Sequence, residues 1–267
     1  MITSIMSYIN YLLSFVFLIL ISCSHPAEAQ TSTAKPLDFN ALSETLLQDI
    51  QANKNTKAIQ HTLAKTTISE LANTLDTDAK RFAFWTNIYN AYILILLKEQ
   101  PELYDDRGTF FKKEQIKIAG KSVSFATIEH GILRKSQWEY GLGYVRKWFP
   151  NKFERKLRVN KRDYRIHFAL NCGAKDCPPV AIYEWERLEE QFTKGTAEFL
   201  KNTTVYSEDK KEVAVTSLFS WFRGDFGGKN GVKKILMEQG LIPYTKGMDL
   251  SYKNYDWTLD IDNFTKL

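Results

Sequence analysis

The chain is 267 residues long, 44% hydrophobic and 25% charged, which excludes a disordered or fibrous chain and is enough to bury a sizeable core. Its formal net charge of +5 is too small to mark a nucleic-acid-binding protein, although it suits anionic surfaces such as lipid headgroups. The 17 Phe, 13 Tyr and 6 Trp point to a densely packed interior.

The first 22 residues carry no charged side chain, and residues 11–21 form a nearly continuous apolar run. That run is shorter than the ~20 apolar residues of a spanning helix and suits the apolar region of a signal peptide. Two cleavage sites compete. Leu20-Ile21-Ser22-Cys23 has the form of a lipobox, in which Cys23 takes lipid and becomes the N-terminus of a membrane-anchored lipoprotein. Ala27-Glu28-Ala29 before Gln30 is an A-x-A pattern that would release a soluble periplasmic protein. An uncleaved anchor helix is the third option. Cleavage at either site implies export to the cell envelope. The expected division is a signal at 1–22, a polar Pro-containing tether at 23–36 and one domain at 37–267.

Residues 37–75 have helical spacing, with Leu42, Leu46, Leu47 and Ile50 on one face and Ile59, Leu63, Ile68 and Leu71 continuing the pattern. After a polar break at 76–80, residues 82–97 are apolar nearly all round and predict a buried central helix, stopped by Pro101. Residues 115–124 alternate around Ala119-Gly120-Lys121 and predict a hairpin. Ser124 is placed to cap a helix through Ile128, Ile132 and Leu133. YRIHFALNC, residues 164–172, is the best strand candidate, rich in β-branched and aromatic side chains. Further helices are predicted at 185–200, at 218–222 and at 232–239, the last closed by Gly240, with a second strand at 212–216. The fold class expected is α+β: a single compact domain, mostly helical, with a small sheet.

Chemistry concentrates in three places. The loop 171–179 holds Cys172 and Cys177 with two prolines and a glycine, and a thiol becomes a nucleophile only as thiolate, beside a cation, an imidazole or a helix N-terminus. On a regular strand His167 would share a face with Arg165, Ala169 and Asn171, Cys172 would point inward, and Cys177 would be freer to sit in a cleft. Glu129-His130 lies on a helical segment, with His130 and Arg134 one turn apart. Asn87 and Asn90 share a face of the apolar central helix, where a buried hydrogen-bonding network is the plainer role. For the cysteines the plainer role is a disulfide closing a short loop. A zinc site from His130, His167, Cys172 and Cys177 has acceptable ligand types but lacks the short ligand spacings, so no metal is expected. Between residues 146 and 165 there are nine Lys or Arg, interleaved with Trp148, Phe149 and Phe153; a solvated face and an anionic membrane or glycan contact both fit.

FWTNIYNAYIL from residue 84, ATIEHGILR from 126, RIHFALNCGAKDCPPVAIY from 165, LFSWFRGDFG from 218 and YDWTLD from 255 together resemble the bacterial branch of the Domain of Unknown Function 547 family, over about residue 37 to the C-terminus. The resemblance picks out Asn87, Glu129, His130, His167, Cys172 and Cys177 as matching positions. Some eukaryotic relatives carry the domain beside glutaredoxin-like modules, which adds a thiol-redox role to the options.

The first expectation is a cysteine-dependent hydrolase or acyltransferase, with Cys177 as nucleophile, His130 as base, Glu129 orienting it, and Asn87 or His167 as polar stabiliser. The alternatives are a non-catalytic envelope binding domain with a Cys172–Cys177 disulfide, and a thiol-redox protein cycling that bond. None requires a cofactor. The partners expected are a small-molecule, peptide or glycan substrate and, through the lipid anchor, the membrane, with no nucleic acid.

Overall fold

The longest apolar stretch organises everything around it. A computed structural model describes residues 37–267, which form one compact unit of α+β type; the expected signal, the tether and Cys23 lie outside the described residues. Among the described residues no helix is long and apolar enough to cross a membrane.

Three helices lead into the core: α1 (Phe39–Gln51), α2 (Lys57–Lys65) and α3 (Ile68–Thr74). Asp38 caps α1 by accepting from Ala41 N at 3.1 Å, and a Thr67/Glu70 capping box starts α3. The central helix, α4 (Asp78–Glu99), begins at Thr77, whose hydroxyl accepts from Lys80 N at 3.3 Å, and it ends before Pro101. Its side chains from Phe82 to Ile95 are buried all round the helix because other elements cover every side. Phe39 of α1 meets Phe84 edge-on at 6.2 Å, Trp85 meets Phe153, and Tyr89 meets Phe125 at 5.1 Å.

Past the short α5 (Arg107–Lys112), the predicted hairpin forms from β1 (Ile116–Ile118) and β2 (Lys121–Val123). Its turn residues, Ala119 at φ 52° and Gly120 at φ 66°, both lie in the left-handed region that a two-residue hairpin turn demands. The chain then makes a wide helical turn at Thr127–Leu133 and reaches α6 (Lys152–Leu157), α7 (Leu188–Thr203), β3 (Val205–Ser207), β4 (Glu212–Val215), α8 (Leu218–Trp221), α9 (Gly228–Glu238) and β5 (Asp249–Tyr252). A second sheet has the order β3-β4-β5, with β3 antiparallel and β5 parallel to β4. It carries its own small core of Phe168, Val213, Val215, Phe219, Phe226 and Leu236.

The strand expected at 164–172 does not form. Residues Tyr164–Phe168 make a tight 3₁₀ turn, started by the Asp163 carboxylate accepting from Arg165 N at 2.9 Å. The following backbone bonds to side chains instead of to a neighbouring strand. Asn90 donates from Nδ2 to Ala169 O at 3.0 Å and accepts from Asn171 N at 2.9 Å. Asn87 does the same one turn earlier, donating to Tyr183 O at 2.8 Å and accepting from Tyr183 N at 2.9 Å. Apolar residues buried on all sides read like a strand in sequence, and here two carboxamides replace the ladder.

Both asparagines are fully buried, so Asn87→Leu strands the Tyr183 backbone groups. We expect it to lower stability by about 2 kcal/mol, read as a shifted denaturant midpoint with unchanged slope. An unchanged midpoint would mean that the latch contributes nothing.

Candidate functional site

Four separated segments meet beside α4. The first is the turn Thr127–Leu133, where Ser124 Oγ accepts from Thr127 N at 3.1 Å as the predicted cap. Its hydrogen bonds then lengthen to i→i+5: Arg134 N donates to Glu129 O at 2.8 Å and Ser136 N to Gly131 O at 2.9 Å. Gly131 has a packing reason, since a Cβ there would sit 2.8 Å from the buried Glu154 side chain. The widened turn keeps His130 and Arg134 together, with Arg134 Nη1 donating to His130 Nδ1 at 2.8 Å. Glu129 Oε1 lies 3.5 Å from the same nitrogen.

The second and third segments supply His167 and Asp225. His167 Nε2 is 2.9 Å from Asp225 Oδ2, and Arg134 Nε donates to that same oxygen at 2.6 Å. Arg162 Nη1 donates to the other carboxylate oxygen at 2.7 Å and to Gly143 O at 2.9 Å. Phe222 stacks on the His167 ring at 4.0 Å and lies beneath the Arg134 guanidinium at 4.7 Å. Close backbone approach makes this possible: a Cβ on Gly224 would come within 2.6 Å of the Gly143 carbonyl carbon.

The fourth segment is the cysteine loop with the C-terminal stretch zipped along it, Lys175 N donating to Thr258 O and Asp260 N to Gly173 O, both at 2.8 Å. Cys172 and Cys177 are joined as a disulfide. The Tyr255 hydroxyl sits 3.3 Å from Cys177 Sγ and 3.5 Å from Cys172 Sγ. The expected orientation of the two is reversed. Cys177 is 3% exposed and takes amide hydrogens from Cys172 N and Ala174 N, whereas Cys172 is partly open. With no strand there is no alternation to turn Cys172 inward.

These segments enclose a cavity of about 450 Å³. Glu129, His130, His167 and Cys172 line it together with an aromatic wall that includes Tyr140, Trp221, Phe222, Tyr255 and Trp257. Asn87 and Cys177 lie away from its lining. A larger cleft of about 860 Å³ is lined by Arg134 and Asp225, which do not line the smaller cavity, and by neither imidazole nor either cysteine. Among the described residues no group of three or more His, Cys, Asp or Glu is placed to hold a metal ion. Sequence reasoning missed Asp225 as a site residue; an acid between two glycines in an aromatic run, FRGDFG, was the available signal.

Burial sets the protonation states. It pushes Glu129 from its ordinary 4.5 up to about 7, against the pull of Arg134 and with help from Asp225 and Glu139. It holds His167 down at about 4 despite the Asp225 hydrogen bond. Burial and then the Arg134 charge keep His130 well below the usual imidazole range. Burial would raise Asp225, but His167 and Arg134 hold it down at about 2. Asp225 is therefore an ionised acceptor near neutrality, and both imidazoles are neutral.

The tautomers follow. A guanidinium only donates, so His130 Nδ1 accepts and its proton sits on Nε2. An ionised carboxylate only accepts, so His167 also carries its proton on Nε2. Among the described residues nothing pairs with the remaining atoms: an N–H donor on His130 and an Nδ1 lone pair on His167. Two identical tautomers thus offer the cavity opposite functions.

The family model described as "Protein of unknown function, DUF547" matches residues 73–200. The match is a similarity to that family over somewhat less than half of the chain. The matched stretch holds Glu129, His130, His167 and both cysteines, while Asp225, Trp221, Tyr255 and Trp257 lie beyond it. No curated protein and no solved structure matches the chain.

Between about pH 4.5 and 7 Glu129 is protonated in the fold but ionised in the unfolded chain. Its raised value therefore favours folding below that interval and ceases to do so as pH climbs through it. Glu129→Gln does not titrate, so the wild type should lose about 3 kcal/mol relative to the variant on going from pH 4.5 to 7.5. Denaturant titrations of both proteins at the two pH values measure it; a constant difference would mean a solvated Glu129.

Proposed function

We propose that the chain is a cell-envelope hydrolase or acyltransferase that works by general acid–base catalysis in the 450 Å³ cavity. The observation that carries this reading is the His167–Asp225 pair at 2.9 Å, with the free imidazole nitrogen unpaired in a side chain that lines the cavity. Envelope location rests on the apolar run at 11–21 and the lipobox ending at Cys23, which would tether the domain to a membrane.

Each group has a role in hydrolysis of an acyl substrate. His167 Nδ1 takes a proton from water as the oxygen attacks the carbonyl, and Asp225 stabilises the imidazolium formed. The His130 Nε2–H donates to the developing oxyanion. Protonated Glu129 gives its proton to the leaving group as the carbon–heteroatom bond breaks, and the proton held by His167 restores it through water. The aromatic wall packs the acyl or peptide portion. A cavity of this size holds a small molecule or one residue of a longer peptide or glycan. The disulfide shapes the wall and takes no part.

A second reading gains support from Cys172, which lines the cavity with the Tyr255 hydroxyl 3.5 Å from its sulfur. If the bond is opened, Cys172, rather than the buried Cys177, is the thiol placed to attack a substrate or exchange disulfides.

Hydrolysis of p-nitrophenyl acyl esters of increasing chain length separates these readings. The acid–base reading requires His167 unprotonated and Glu129 protonated, so activity should be confined between about pH 4 and 7. It should survive with the disulfide intact, and His167→Gln should lower kcat/KM by a factor of about 10²–10⁴. Turnover that appears only with reductant and disappears in Cys172→Ser supports the thiol reading instead. Saturable ester binding without turnover in either state supports a non-catalytic binding domain.

A further inference from the structure

Seven of the twelve large apolar side chains exposed among the described residues fall within residues 138–149. Trp148 and Phe149, adjacent at the tip, are 84% and 91% exposed, more than any other. Adjacent aromatics left almost wholly in water form a local apolar patch with nothing from this chain upon it.

The exposure is held rigidly. Trp138 N donates to Val145 O at 2.9 Å and Lys147 N to Ser136 O at 2.8 Å, pinning the two sides of the loop. Past the tip, Asn151 caps α6 through Glu154 N at 2.9 Å, and Phe153 is buried against Trp85. The backbone on both sides of the tip is therefore fixed, and the two rings are displayed outward.

The charge around the tip is nearly of one sign. Residues 138–162 contain eight Lys or Arg and two acids: Glu139, which pairs with Lys112 Nζ at 3.4 Å, and Glu154. Glu154 is buried and bonded to Lys147 at 2.8 Å, so it does not offset the exposed Arg146, Lys152, Arg155 and Lys156. Lysine is depleted at protein–protein interfaces, whereas Trp with surrounding Lys and Arg is the pattern of a side that enters the headgroup region of an anionic bilayer. We propose that this tip docks on an anionic lipid surface, with Trp148 and Phe149 inserted at the acyl boundary and Arg146, Lys152, Arg155 and Lys156 against the headgroups. Tyr140 and Leu142 belong both to this exposed stretch and to the cavity lining, so docking brings the cavity rim to the bilayer. The docking itself does not depend on what the cavity does.

The test reads the position of Trp148, because the N-terminal apolar run could hold the full chain on any vesicle. Full-length protein is mixed with vesicles of acyl-brominated phosphatidylcholine, with or without phosphatidylglycerol, and the wild-type emission minus that of Trp148→Phe isolates Trp148. We expect strong quenching of that component on phosphatidylglycerol vesicles and little on pure phosphatidylcholine. High salt, or combined Lys152→Gln, Arg155→Gln and Lys156→Gln, should remove the difference, with circular dichroism unchanged. Trp148 unquenched on anionic vesicles, or quenched equally on both kinds, overturns the proposal. So does a Phe149→Ser-sensitive dimer in solution with no quenching, which would assign the tip to a second copy of the chain.

Discussion

One buried carboxylate holds the site together. Asp225 binds Arg134, Arg162 and His167 at once, partners that precede it by 91, 63 and 58 residues. Arg134 is 1% exposed, and a cation so buried requires its counter-charge in place. A pair of this kind adds little net stability, because desolvating both charges offsets their attraction, yet removing one partner costs about 3–5 kcal/mol. The consequence is specificity of arrangement. The widened turn, the 3₁₀ turn at Tyr164–Phe168 and the FRGDFG loop must meet in one register, or a charge is left alone in the interior.

That register fixes protons as well as positions. Since Asp225 and Arg134 each engage one imidazole, the two histidines carry the same tautomer but turn different nitrogens away from the protein. Low dielectric around them keeps both neutral and keeps Glu129 protonated well above the usual carboxylate range. An acid, a hydrogen-bond donor and a base therefore coexist in one cavity without cancelling one another's charge. Pairs of titratable groups whose environments drive them apart are the physical signature of acid–base sites. The disulfide and the Tyr255 hydroxyl close the cavity's other side, away from this chain of contacts.

How much was legible in the sequence depends on how local each cause is. The capped helices, the stop before Pro101, the hairpin around Ala119-Gly120 and the Ser124 cap are decided by neighbours a few residues apart, and they form as read. Residues 164–172 are not decided locally. Asn87 and Asn90 satisfy backbone groups 79 to 96 residues away, and nothing in the segment itself announces that. The pairing of β5 with β4 is equally distant, and its short strand has too little alternation to stand out. Glu129, His130, His167 and Cys172 were recognisable as chemistry, and they share a cavity. Asn87 and Cys177 had the same appeal in sequence, and burial removes them from it. Asp225 was visible only as one letter in an aromatic block, because its importance comes from three partners 58 to 91 residues away.

The central claim is that Asp225 and Arg134 fix two neutral imidazoles with their protons on Nε2. Long-range ¹H–¹⁵N spectra of the ¹⁵N-histidine-labelled chain, recorded across a pH titration, report tautomer and charge for each ring directly. The Nε2–H form is expected for both His130 and His167, with His167 becoming charged only near pH 4, and at still lower pH in Asp225→Asn, where the carboxylate that favours the charged ring is gone. A His167 that carries its proton on Nδ1, or that titrates near the ordinary imidazole value of about 6.5 in the wild type, would contradict it.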